Sequence, residues 1–123
     1  MDATPIQLSL PAAPDQLPVA RAVAHTIAMR ANFDLDAIAD ITMAIDELCS
    51  QLMAKSDGTL RCTFLLRPDC LVVHGSIAGQ LAPNTASFGW RVLSTLVDSA
   101  RTWLADSPPE VHIELVRKRV VPE

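Results

Sequence analysis

The sequence predicts an α/β protein of the α+β kind: a two-layer sandwich with a four-stranded mixed or antiparallel sheet and three helices on one face. Three observations predict it. Half of the 123 residues are hydrophobic, enough to fill one core in a chain too short for two. The spacing of apolar residues switches between the strand period and the helix period along the chain. The segments so defined run β-α-α-β-β-α-β, an order in which hairpin strands and amphipathic helices bury their apolar faces against each other. Residues 1–123 are expected to form a single domain.

The elements follow in order. Ile6, Gln7, Leu8, Ser9 and Leu10 alternate, as in a half-buried strand, and Pro11 and Pro14 end it. Asp15 is placed to cap a first helix over about 16–31, with Val19, Ala20, Val23, Ala24, Ile27 and Ala31 toward the core. Asn32, Phe33 and Asp34 interrupt the period, and Asp34 caps a second helix over about 35–55. Ile38, Ile41, Ile45, Leu48 and Leu52 form its core stripe, and Ser56, Asp57 and Gly58 stop it.

A hairpin follows. Leu60, Cys62, Phe64 and Leu66 alternate with Arg61, Thr63, Leu65 and Arg67, and Pro68-Asp69 turns the chain into a strand over 70–77. A two-residue loop pairs Leu66 with Leu71, Phe64 with Val73 and Leu60 with Ile77, which stacks apolar residues on one face. The same register sends Cys62 and Cys70 to opposite faces, where they cannot bridge. A loop over 78–85 leads to Ser87, which caps a third helix over about 88–105 with Leu93, Leu96, Val97, Ala100 and Leu104 inward. Ser107, Pro108 and Pro109 break that helix, and Val111, Ile113 and Leu115 alternate in a last strand.

Composition narrows the function. The net charge is −4, and Arg117-Lys118-Arg119 is the longest basic run, so direct binding to nucleic acid or to an anionic membrane has little electrostatic support. The first ten residues lack a basic start and an apolar core, so no signal peptide is expected. No apolar stretch is long enough to span a bilayer. Three cysteines without C-x-x-C spacing argue against a disulfide framework or a zinc site, and the cytoplasm is the expected compartment.

The second helix offers the sharpest constellation. Glu47 and Gln51 are four apart and share a face, with Asp36 and Asp40 on roughly the same stripe. A carboxylate there can act as a general base and an amide oxygen can hold hydrated Mg²⁺, although a solvated helix face has the same pattern. On the first helix Leu17, Arg21 and His25 form a row continued by Met29, which suits an interface anchor or an ordinary amphipathic boundary.

The segment Ala44-Ile45-Asp46-Glu47-Leu48-Cys49-Ser50-Gln51-Leu52 resembles the N-box of the GHKL (Bergerat-fold) ATPases, in the branch of anti-sigma factors of the switch-protein serine-kinase type, where E-A-x-x-N is usual. Phe88-Gly89-Trp90-Arg91-Val92-Leu93 resembles that family's second glycine box running into its helix. Ala20-Arg21 matches the place of a partner-contacting arginine, and the element order matches the compact form of the fold. The resemblance covers nearly the whole chain.

That resemblance implies an anti-sigma factor. Such a protein binds a sigma factor of RNA polymerase, gives it up to an anti-sigma factor antagonist, and often forms a homodimer. The alternative it carries is an ATP-dependent serine kinase acting on the antagonist, with Glu47 as catalytic base. Glu47, Gln51, Gly79 and Gly89 would be the cofactor-binding positions, and Leu17, Arg21 and His25 the partner-binding ones.

Departures from the pattern decide between the two. Gln51 stands where the magnesium-binding Asn belongs, and its extra methylene displaces the amide oxygen. The adenine box reads Ile77-Ala78-Gly79-Gln80-Leu81, with Ile77 for the Asp that reads adenine and Leu81 for the second Gly. The loop lacks clustered glycines to wrap a triphosphate. A nucleotide fold with a degenerate ATP site is expected, with no cofactor and at most weak ATP/Mg binding.

Elsewhere His74 and His112 fall on the outer sheet face without a third metal ligand. Cys49 and Cys62 read as small buried hydrophobes, and Cys70, facing outward by the turn, is the thiol open to redox chemistry. Trp103 is expected in the core and Trp90 near the surface.

Overall fold

The computed structural model describes residues 4–120; residues 1–3, part of the segment read for a signal peptide, lie outside it, as do 121–123. The elements are β1 (Ile6–Pro11), α1 (Leu17–Arg30), α2 (Leu35–Met53), β2 (Thr59–Leu66), β3 (Cys70–Ala78), α3 (Phe88–Leu96), β4 (Ser99–Asp106) and β5 (Pro109–Lys118), with a 3₁₀ turn at Pro14–Gln16 before α1. They form one sheet in the order β1-β2-β3-β5-β4, antiparallel throughout. The α+β class and the three helices against one sheet face are as expected, while the sheet has five strands rather than four.

The extra strand comes from the second half of the expected third helix. The chain leaves helical geometry at Val97 (φ −134°, ψ 165°) and runs as β4 from Ser99. Ala100 and Leu104 are four apart, which suits a helix face, but Ala100, Thr102 and Leu104 also alternate, which suits a strand. Pairing decides: β4 gives β5 a hydrogen-bonded neighbour from Ser99↔Val116 to Asp106↔Pro109. Without it, that edge of β5 would be left unpaired. Ser107-Pro108, joined by a cis bond, is the turn of this hairpin and does not end a helix. Leu93 is fully buried, Leu96, Val97 and Ala100 are half-buried, and Leu104 is exposed.

The hairpin β2–β3 has the register read from its alternation, with Leu66↔Leu71 and Phe64↔Val73. Its apolar row is the sheet side that α2 covers. Ile38, Ile41, Ile45, Leu48 and Leu52 of α2 are all buried, and Asp34 accepts the Ala37 amide at 2.8 Å as its N-cap. At α1 the core face is rotated from the expected one. Ala20, Ala24, Ile27, Ala28 and Ala31 are buried, Val23 is half-buried, and Val19 is 43% exposed. Asp15 does not cap this helix, because it sits inside the 3₁₀ turn and the N-cap is Gln16. The small side chains let α1 lie close against α2.

Candidate functional site

Arg21, Leu17 and His25 share the flank of α1 that faces α2, with Arg21 and His25 exposed and Leu17 half-buried. Arg21 Nη1 donates to Asp46 Oδ1 at 3.1 Å, and both side chains keep over a third of their surface (44% and 36%). Asp46 thus uses one donor of the guanidinium, and the planar fork has further donors for a partner carboxylate. Sequence spacing gave no sign of Asp46 in this role, since it lies 25 positions from Arg21 and on another helix.

Across α2 from Asp46, the neighbouring Glu47 points the other way, at the amino-terminal turn of α3. A Cβ built on Gly89 would collide with Glu47 Oε1 and would stand 2.7 Å from Gln51 Nε2. Three of the four residues matched to nucleotide boxes, Glu47, Gln51 and Gly89, therefore meet. Ser87 caps α3 by accepting the Trp90 amide at 3.2 Å, which seats this turn over the two side chains. Gly79 lies apart from them, with Val111 and Lys55 as its nearest neighbours. Asp40, on the same stripe as Glu47, is engaged by Arg117 Nη1 at 2.8 Å. Ile77 is fully buried in the core, and Leu81 is 73% exposed on the loop, close in sequence to Phe88, which is 82% exposed. The Glu47 group is suited to packing α2 against α3; it presents no carboxylate at the Ile77 position to read a base edge.

The tryptophans exchange their expected places. Trp90 is buried beside Gly89, whereas Trp103, on β4, stacks on the outer sheet face with His74 and His112. Those two histidines do share that face, and His74 Nε2 lies 2.8 Å from His112 Nδ1. No group of three metal-ligating side chains occurs among the described residues. All three cysteines are free and buried. Cys70 shares the outer sheet face with Val72 and His74, as expected, but it is covered rather than open: burial and the Asp69 carboxylate push its pKa up, which suppresses the thiolate. Cys49 and Cys62 are buried as expected and contact each other between α2 and β2, and the bond to Cys62 together with burial raises the Cys49 thiol far above its usual range.

No helix among the described residues is long and apolar enough to cross a membrane. No family model matches the chain. Two curated relatives from Mycobacterium tuberculosis, the anti-sigma-F factor RsbW of strain CDC 1551 / Oshkosh and that of strain ATCC 25618 / H37Rv, are each 34% identical over 112 residues. The match covers 86% of this chain and 66% of each relative, so the chain spans about two thirds of their length. Among solved structures, that of the RsbU and RsbW domains of Rv1364c from Mycobacterium tuberculosis superposes on 97% of this chain and 33% of that one, with a TM-score of 0.78. At 19% identity this second likeness is one of fold.

Proposed function

The chain belongs to the RsbW type of anti-sigma factor, and from that premise we propose that it holds a sigma subunit of RNA polymerase inactive by protein–protein binding. No chemical step is needed, because occlusion of the sigma surface suffices. Release comes when an anti-sigma factor antagonist takes the sigma factor's place. The same reading has the protein working in the cytoplasm as a homodimer. What supports the binding role is the row on α1, and above all Arg21, which makes a single contact to Asp46 while its side chain stays 44% exposed. An arginine already oriented loses less freedom when it pairs with a partner carboxylate.

A kinase function is the weaker alternative. Glu47 keeps the position of a catalytic base, but Gln51 replaces the metal ligand, Ile77 is sealed in the core, and the α3 turn rests on Glu47 and Gln51. These features support a vestigial nucleotide site.

The test is a pairwise binding assay of the chain against purified sigma factors of its own cell. Arg21→Ala is expected to weaken the cognate complex by about 2 kcal/mol, a loss of roughly thirtyfold at ~1.4 kcal/mol per decade. Its melting temperature should hardly move, since an exposed ion pair contributes about 0–1 kcal/mol. Arg21→Glu should bind more weakly still, because it adds repulsion at the interface. Unchanged affinity for Arg21→Ala would put the interface elsewhere, with the loop from Gly79 to Ser87, which carries Leu81, the next place to probe.

A further inference from the structure

The other flank of α1 borders an open groove of about 660 Å³ against the edge of the sheet. Ile6 of β1 with Phe64 and Leu66 of β2 make its floor, and Val23, Thr26 and Arg30 stand on the helix wall. Its surface is chiefly apolar and it holds no acidic side chain. Arg30 is its one charged group, and no carboxylate pairs with it among the described residues. Thr26 sits one turn before Arg30, so a hydroxyl and a guanidinium lie together on the wall above an apolar floor.

We propose that this groove binds an anionic amphiphile, a single alkyl chain ending in a carboxylate. The chain lies along Ile6, Val23 and Leu66, with Phe64 buried beneath them, and the head pairs with Arg30 beside Thr26. The volume falls in the range of small-ligand sites, roughly 300–1,000 Å³. The polarity is that of such sites too, mostly apolar with a few polar groups at one place. A protein partner fits less well. It would cover about 800 Å² on this side, yet Ile6, at 47% exposure, is the sole large apolar side chain of the groove left well exposed. The site is independent of the Arg21 row, which lies on the opposite flank of α1.

The test uses octanoate, decanoate and dodecanoate below micelle formation, with decanol as the uncharged control and vesicles of mixed zwitterionic and anionic lipid as the surface control. Calorimetry should show saturable one-to-one binding that tightens about two- to fourfold per added methylene. Decanol should bind several-fold more weakly than decanoate. Amide shifts should gather at Ile6, Val23, Thr26, Arg30 and Leu66. Arg30→Gln should erase the preference for decanoate over decanol but keep the dependence on chain length. Thr26→Trp, on an exposed position, should block both ligands while the protein stays folded by circular dichroism. Four results would each overturn the proposal: no saturation, equal binding of decanol and decanoate, full affinity in Thr26→Trp, or binding to vesicles alone.

Discussion

On the outer face of the sheet, His74, His112 and Trp103 hold their rings nearly parallel, with centroids 5.0–5.6 Å apart. The groups facing His74 come from two strands: His112, Glu114 and Glu110 on β5, and Arg101 on β4. Arg101 stands 4.7 Å from the Trp103 ring and pairs with Glu114 at 3.0 Å. Burial is the main cause that lowers the His74 pKa, helped by His112 and Arg101 and opposed by the two glutamates. A histidine with a lowered pKa in the folded state takes its proton first in the unfolded state. Its contribution to stability is therefore complete above about pH 6.5, the unperturbed value, and is lost as the pH falls below it. The urea midpoint of the wild type should drop between pH 7.5 and 5.5, and His74→Gln should flatten that drop. Superimposable pH profiles would show that His74 is not its source.

Between elements, Gly75 sets how closely α2 lies on the sheet. It pairs with Cys62 on β2, and a Cβ there would come within 2.7 Å of Leu48 Cδ2 and 2.8 Å of Leu52 Cδ1. Both leucines are fully buried and have nowhere to retreat. Gly75→Ala should therefore destabilise the protein by about 1–3 kcal/mol, the usual cost of overfilling a packed core. Gly58 makes a matched control, since an added Cβ there would meet only Ser56 Oγ at an ordinary 3.4 Å. Equilibrium denaturation of Gly58→Ala should differ from wild type by no more than roughly 0.5 kcal/mol. Equal effects of the two substitutions would mean that α2 can shift on the sheet. At the start of α2, Asp34→Ala should cost about 0.5–2 kcal/mol through loss of its bond to the Ala37 amide.

Across the whole molecule, the positions matched to nucleotide boxes are taken up by packing: Ile77 is fully buried in the core, and Gly89 in the first turn of α3 rests on Glu47 and Gln51 of α2. Mg-ATP should bind weakly or not at all, and Trp90, buried next to Gly89, reports on the outcome through its fluorescence. Micromolar saturation would revive the kinase reading. The substitutions that restore the family pattern, Ile77→Asp with Gln51→Asn, are not harmless repairs. The aspartate would be an uncompensated charge in a fully buried position, at a cost of roughly 3–5 kcal/mol. Thermal melts of the double variant should fall well below wild type, and a gain in ATP affinity should be sought only where the variant remains folded.

The sequence by itself determined α2, the β2–β3 hairpin and its register, and the α+β class, because each rests on a long apolar stripe or a strict alternation that only one structure can bury. It also placed Glu47 with Gln51 on one helix face, and His74 and His112 on the outer sheet face, since helix spacing and strand parity set those directions locally; that Gly89 meets Glu47 and Gln51 was decided by the packing of α3 on α2. Tertiary structure alone decided the rest. Residues 99–106 satisfy a helix pattern and a strand pattern at once, and the unpaired edge of β5 settled the choice, taking Trp103 to the outer face with it. The face of α1 was fixed by which side could approach α2, where alanines fit and Val19 does not. The Arg21–Asp46 pair and the groove at Arg30 arise from elements distant in sequence, and no local periodicity encodes a contact between them.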